Sequence, residues 1–242
     1  MRGLSQVRLT GAIAGEPQLD TVGNGLARLR FTLAGSSNRF SNGEVKPVTA
    51  YTDITYLGDL ATQFADQLAE GALVDVRGRL DYSRYEVEGQ ARTSLRVLAL
   101  RLTELDPTMH QVDVDSREQA VLRNAVNRVQ VYGNVTRDAE LRYTPNGDPI
   151  ARFSVAVNER YRDRSGQDQE RVAFVDVEAW HDLARAFVQS DEVLLTKGMP
   201  VIVEGLFLSD NYQNKEGEMV YRKKVEAQHI SVVSSPSAAR GA

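Results

Sequence analysis

Apolar and polar residues alternate with a period of two along much of the chain. Val129, Val131, Gly133 and Val135 alternate with Gln130, Tyr132 and Asn134. Ala151, Phe153, Val155 and Val157 alternate with Arg152, Ser154 and Ala156, and Val175, Val177 and Ala179 with Phe174, Asp176, Glu178 and Trp180. Successive side chains of a strand point to opposite faces, so this pattern predicts strands with one face in a core. Asn146-Gly147 between apolar runs is a hairpin signal. A short helix fits over 183–188, and two further strands over 201–208 and 220–232, with Gly217 in their hairpin loop. Five strands with a helix between the third and fourth is the order of an OB-fold, a small Greek-key barrel. Periodicity alone leaves another small β-barrel or a sandwich open.

The pattern occurs twice. Val7-Arg8-Leu9-Thr10-Gly11 returns as Val129-Gln130-Val131-Tyr132-Gly133, and Asn24-Gly25 as Asn146-Gly147. Phe31 matches Phe153, Leu60-Ala61 matches Leu183-Ala184, and Val74-Asp75-Val76-Arg77-Gly78 matches Val201-Ile202-Val203-Glu204-Gly205. The first copy's helix is expected over 60–69. Internal repetition of this kind marks duplicated structural units. The expected organisation is an N-terminal unit over 1–105, a linker over 106–126, a C-terminal unit over 127–233 and a disordered tail over 234–242. The linker is polar and turn-like at first; 117–125 is either a short helix or an ordered connector.

Composition narrows the function classes. With no cysteine in 242 residues, disulfides, thiolate metal sites and cysteine nucleophiles are excluded together. No apolar stretch is long enough for a signal peptide or a membrane span, so a cytoplasmic protein is expected. His110, His181 and His229 are far apart and show no metal-ligand spacing. Gly23-Asn24-Gly25 lacks the third glycine of a dinucleotide fingerprint, and no Walker-type loop occurs. No enzyme, metal or cofactor is expected. The net charge of −4 does not bar a nucleic-acid partner, because a groove needs only a local stripe of positive charge.

The second copy carries a specific resemblance. Asn127-Arg128-Val129-Gln130-Val131-Tyr132-Gly133-Asn134-Val135, then Arg137-Asp138-Ala139-Glu140-Leu141 and the run 151–161 ending Asn158-Glu159-Arg160-Tyr161, resemble bacterial single-stranded-DNA-binding proteins (SSBs). Lys197-Gly198 before Val201–Gly205 completes the likeness, which covers nearly all of 127–233; the first copy follows through the repeat. Two copies in one chain resemble the Deinococcus–Thermus type. That resemblance implies an all-β fold with minor α content: two tandem OB-folds, each with a helix between strands three and four. It also implies sequence-independent binding of single-stranded DNA in replication, recombination and repair, on the nucleoid, by a homodimer presenting four OB-folds.

Sequence-tolerant binding needs aromatic platforms for bases and cations for phosphates. The resemblance carries stacking positions onto Tyr161, Phe174, Trp180 and Tyr212. Parity supports two of them, since Phe174 and Trp180 share a strand face opposite Val175, Val177 and Ala179. In the first copy Tyr51 and Tyr85 are equivalents, Leu57 replaces the tryptophan, and Phe40 lies one residue beyond the counterpart of Tyr161; Tyr56 has core-facing parity. Candidate phosphate contacts are Arg30 and Arg152 at matching positions, then Arg160, Arg162 and Arg164 beside Tyr161. Arg77 and Arg79, Arg92 and Arg96, and Lys223 and Lys224 complete the set. Asp53, Asp176 and Glu178 depart from the family, which places a basic residue near that point.

Typical members end in an acidic, phenylalanine-terminated tip that recruits repair enzymes. The residues Arg240-Gly241-Ala242 carry no such tip, so that recruitment is not expected of them. Two other readings stand beside the main one: a specialised primosomal or phage recombination OB protein, and a protein-interaction scaffold using OB barrels for oligomerisation alone.

Overall fold

Alternation becomes burial: along Asn127–Val135 every second residue is buried, and along Asp168–Trp180 Ala173, Val175, Val177 and Ala179 point inward. The computed structural model describes residues 3–23, 25–41, 43–87, 89–162, 166–189, 192–213 and 219–233. Asn24, Gly217 and the tail 234–242 lie outside the described residues. The N-terminal elements are β1 (Leu4–Val22), β2 (Leu26–Ser41), β3 (Glu44–Leu57), α1 (Leu60–Gln67), β4 (Leu73–Val87) and β5 (Gln90–Glu104). A turn of 3-10 helix (Pro107–Met109), β6 (Val112–Val114) and β7 (Ala120–Arg123) follow. The C-terminal elements are β8 (Asn127–Val135), β9 (Glu140–Tyr143), β10 (Pro149–Arg162), β11 (Asp168–Trp180), α2 (His181–Phe187), β12 (Val188–Gln189), β13 (Glu192–Val193), β14 (Pro200–Gln213) and β15 (Met219–Val232).

Each copy closes into a five-stranded barrel. In the first, the order β2-β3-β5-β4-β1 closes through β1–β2; in the second, β8-β14-β15-β11-β10 closes through β8–β10. The third and fifth strands run parallel in both, with Ile54 opposite Val97 and Val177 opposite Val225. A helix lies between the third and fourth strands each time, burying Ala61 in one copy and Ala184 in the other. The two copies are tandem OB-folds. Phe31 and Phe153 are buried, as their parity requires.

A close backbone approach explains one repeated glycine. The fourth strand of each barrel has a register shift, between Arg77 and Gly78 in β4 and between Glu204 and Gly205 in β14. A Cβ would lie 2.1 Å from the Leu98 carbonyl oxygen at Gly78 and 2.0 Å from that of Glu226 at Gly205, far inside contact distance. A buried polar side chain fastens each bulge. Ser5 Oγ accepts from the Leu80 amide at 3.2 Å, and the Asn127 side chain exchanges two 2.9 Å hydrogen bonds with the backbone of Phe207.

The barrels share one sheet. β1 pairs antiparallel with β8, from Leu4 opposite Tyr132 to Leu9 opposite Asn127, so the hydrogen-bonded ladder runs from one barrel into the other. One apolar cluster accordingly contains Val7 and Leu9 together with Val129 and Val131. The connector over 117–125 is not helical: Glu118 and Asn124 have positive φ, which a helix does not admit. Instead β6 and β7 form a hairpin. β7 adds to β2, with Gly35 opposite Leu122, and Leu122 and Ala125 pack on Ala12 and Leu73.

Candidate nucleic-acid interface

Outward-facing residues of the second, third and fifth strands form an equivalent face on each barrel. In the N-terminal barrel it holds a cleft of about 470 Å³ bordered by Arg30, Thr32, Asp53, Thr55, Ser94 and Arg96. Its cations are held by carboxylates at the rim. Arg30 lies 3.1 Å from Asp20, whose carboxyl the hydrogen bond from Arg28 holds below the usual range, and Arg96 lies 3.1 Å from Asp81.

The corresponding positions of the C-terminal barrel hold a carboxylate at the centre. Glu178 replaces Thr55 and is only 1% exposed, although its parity is outward. Arg152 Nε lies 2.9 Å from it, and Arg222 and Lys224 both donate to it. Burial pushes Glu178 up, but the Lys224 hydrogen bond and the charges of Lys224, Arg222 and Arg152 outweigh it and hold the carboxyl below the ordinary range. Lys224, 6% exposed, also pairs with Asp210. The departure from basic residues noted in the sequence is thus a buried anion gathering three cations. Arg222 escaped the sequence reading because Lys223 and Lys224 beside it drew the assignment; its parity on β15 was available as a signal.

Several expected cations lie elsewhere. Arg77 and Arg79 share a parity on β4 but have different surroundings. Arg77 faces a cleft on the outer side of the shared sheet, beside Arg101 and Arg128 and 3.8 Å from Asp75. Arg79, 14% exposed, sits 3.5 Å from Asp81 and 3.9 Å from Glu159, with burial and Arg171 pulling its pKa below the ordinary value. Lys223 reaches across the barrels to Asp53. Arg160 stays exposed and pairs with Glu170. The side chains of Arg92 and Arg162, and all of Arg164, lie outside the described residues.

The aromatics divide by position. Phe174 is 47% exposed on the outward face of β11, and its ring meets Tyr82 of the other barrel edge to face at 5.6 Å. Trp180 is half-buried at the end of β11, 6.0 Å from His181, with its indole N–H enclosed and unpaired. Tyr161 is half-exposed, and the Arg171 guanidinium covers its ring at 4.7 Å. Tyr85 projects from β4, and Phe40, 66% exposed, stands near the tip of the β2–β3 hairpin opposite Val45. Tyr51 is partly buried and donates its hydroxyl to Asp115. Tyr56 packs inward on Phe64. The side chain of Tyr212 lies outside the described residues. Tyr82 was missed in the sequence; its place four residues after the bulge glycine was the available signal.

Contacts between barrels bring these sites together. Arg39 of β2 lies 3.2 Å from the buried Glu226 of β15, and Val48 and Ala50 pack on Leu206 and Leu208. Glu159 of β10 accepts from Ser5 at 3.0 Å. Among the described residues, no group of acidic, histidine or cysteine side chains is placed to hold a metal, and no helix is long and apolar enough to cross a membrane.

Comparison with known proteins bears on this pair of faces. The chain is 42% identical over 227 residues to the single-stranded DNA-binding protein of Thermus thermophilus, spanning 93% of this chain and 83% of that protein. It is 37% identical over 236 residues to that of Deinococcus radiodurans, spanning 96% and 76%. The crystal structure of the wild-type single-stranded DNA-binding protein from Thermus aquaticus superposes with a TM-score of 0.75 at 30% identity, covering 97% of this chain and 95% of that one. The family model matches residues 4–105 and again 126–233, one match for each barrel, and the chain therefore belongs to the single-strand binding protein family.

Proposed function

We propose that the chain binds single-stranded DNA without sequence preference, protecting exposed strands during replication, recombination and repair, and does no chemistry on them. The observation that carries this reading is the outward face of β11, where Phe174 stays exposed on the face that also carries Glu178 with Arg152, Arg222 and Lys224 gathered on it. Stacking on aromatic faces tolerates any base, and cations beside it track the backbone. Phe174, Trp180, Tyr161 and Tyr212 are the platforms of the C-terminal unit, with Tyr85 and Phe40 in the N-terminal one, where Tyr51 is instead held by Asp115 of the linker. Arg30, Arg96, Arg152 and the arginines at 160, 162 and 164 are the phosphate-facing groups. The units are 1–105 and 127–233, joined by 106–126, and the setting is the cytoplasm, on the nucleoid.

A second copy completes the assembly, giving four barrels. The outer face of the shared sheet supports this, because Gln6, Arg8, Gln130 and Glu204 border a cleft of about 710 Å³ beside the exposed Leu100. The internal repeat makes that face nearly two-fold, as self-complementary association requires. Hydrodynamic mass at micromolar concentration checks it.

Trp180 is the only tryptophan, so its fluorescence reports on one groove. Titration with oligo(dT) is expected to quench it, while duplex DNA leaves it unchanged. Absence of both quenching and retained oligonucleotide would transfer the reading to an oligomerisation scaffold.

A further inference from the structure

The internal repeat gives the chain two inter-barrel junctions at equivalent places, and they are built from different residues. At one, Phe174 of β11 meets Tyr82 of β4. At the other, Tyr51 of β3 stands where Phe174 stands, since Tyr51 pairs with Ala34 as Phe174 pairs with Ala156. Ser209 of β14 occupies the place of Tyr82, each four residues beyond its bulge glycine. The first junction sets the exposed Phe174 against Tyr82, which is partly buried on the core. The second is a cleft of about 650 Å³ bordered by Tyr51, Ser209, Asp53 and Lys223.

The single linker can reach only one of these places, and it reaches the second. The turn joining β6 to β7 brings Asp113, Asp115 and Arg117 to that cleft. Asp115 is built into the turn, accepting from the amides of Arg117 and Gln119 at 2.8 and 2.9 Å, and it receives the Tyr51 hydroxyl. Burial and the bond to Asp115 push the Tyr51 phenol up to about 12. Lys223, which also borders the cleft, is occupied by Asp53. Asp53 and Asp113 are paired with Lys223 and Arg123, and Arg117 stands beside Asp115, so what a strand arriving there meets is the hairpin tip itself, seated on the Tyr51 hydroxyl.

We propose that a single strand crosses between the barrels at the Tyr82–Phe174 junction, and that the Asp115 tip of the linker hairpin bars it from the equivalent junction at Tyr51. Each chain then has one crossing point, and Tyr82 is a binding residue of the C-terminal groove contributed by the N-terminal barrel. This rests on the reading of the chain as a single-strand binder.

The test is equilibrium binding of labelled oligo(dT) to the full chain and to Tyr82→Ala, Tyr82→Leu, Ser209→Ala and Tyr51→Phe, with the melting temperature of each measured. Tyr82→Ala is expected to weaken binding at least about fivefold, the lower end for losing one stacked base. Tyr82→Leu, which keeps an apolar side chain against Phe174, is expected to weaken it likewise without lowering the melting temperature. Ser209→Ala is expected to bind as the parent does. Tyr51→Phe keeps the ring but frees the hairpin, and is expected to tighten binding by about threefold or more, a hydrogen bond to a charged group having been removed from the closed state. If Ser209→Ala costs as much as Tyr82→Ala, or Tyr51→Phe changes nothing, the unequal junctions are overturned while the parent's own binding leaves the single-strand reading intact. No binding by the parent would overturn both.

Discussion

Glu178 and Glu226 stand opposite each other on the parallel pair β11–β15, both nearly buried, and their carboxyls are displaced in opposite directions. Glu178 is held below its ordinary value by three cations despite its burial. Glu226 is held above it, because burial and the nearby Glu178 outweigh Arg39 and Lys224. A buried carboxylate is tolerated only to the extent that its partners compensate for lost hydration, and here one of two neighbours takes most of them.

The two therefore act oppositely on stability. With its folded pKa depressed, Glu178 contributes stability that is present above the ordinary value of 4.5 and lost as the pH falls through the folded value. With its folded pKa raised, Glu226 favours the fold below 4.5 and opposes it as the pH rises through the folded value. Glu178→Gln is expected to destabilise near the low end of the roughly 3–5 kcal/mol seen for broken buried pairs, since Lys224 keeps Asp210. Glu226→Gln is expected to stabilise at pH 7 and to have no effect at pH 3. Denaturant melts at both pH values check the pair, and a Glu226→Gln loss at pH 7 would contradict the assignment.

The bulge glycines offer a matched comparison. Alanine at Gly78 or Gly205 would drive a Cβ into a backbone carbonyl that cannot withdraw without moving a strand. Each substitution is expected to cost about 1–3 kcal/mol, in the range of overpacked sites. Because the contacts are near copies, the two losses are expected to agree; thermal melts measure them.

One ladder joins both barrels through β1 and β8, so unfolding one exposes the buried edge of the other. Calorimetry is expected to show a single transition. Phe153→Ala, about 3–5 kcal/mol for a fully buried aromatic, is expected to shift that whole transition rather than split it. Two resolved peaks would show that the barrels unfold separately.

The cations of the two grooves are expected to differ in what they contribute. Arg30 is 44% exposed, and its replacement by Gln is expected to reduce the salt slope of strand binding by about 0.7, one released counterion contact. Lys224 is buried between Glu178 and Asp210, so Lys224→Gln is expected to lower the melting temperature first and leave the slope nearly unchanged. Affinity measured against salt concentration separates the two.

Strand parity and internal repetition, both local properties, were enough to place Phe31 and Phe153 in the cores, Phe174 on the open face and a helix after each third strand. They follow from the two-residue period of a strand and need no knowledge of what lies across the barrel. What the tertiary structure alone decided depends on partners distant in the chain. A single extra residue in β5, Leu100, shifted the register opposite Gly78, and Arg77 and Arg79, two residues apart, ended at the outer sheet and beside Glu159. Glu178 became the centre of a cation cluster because β10 and β15 bring Arg152, Arg222 and Lys224 to it. Tyr51 and Phe174 are equivalent in sequence, yet one linker can pack on only one of two repeated surfaces. The symmetry written into the repeat is broken by a segment that occurs once.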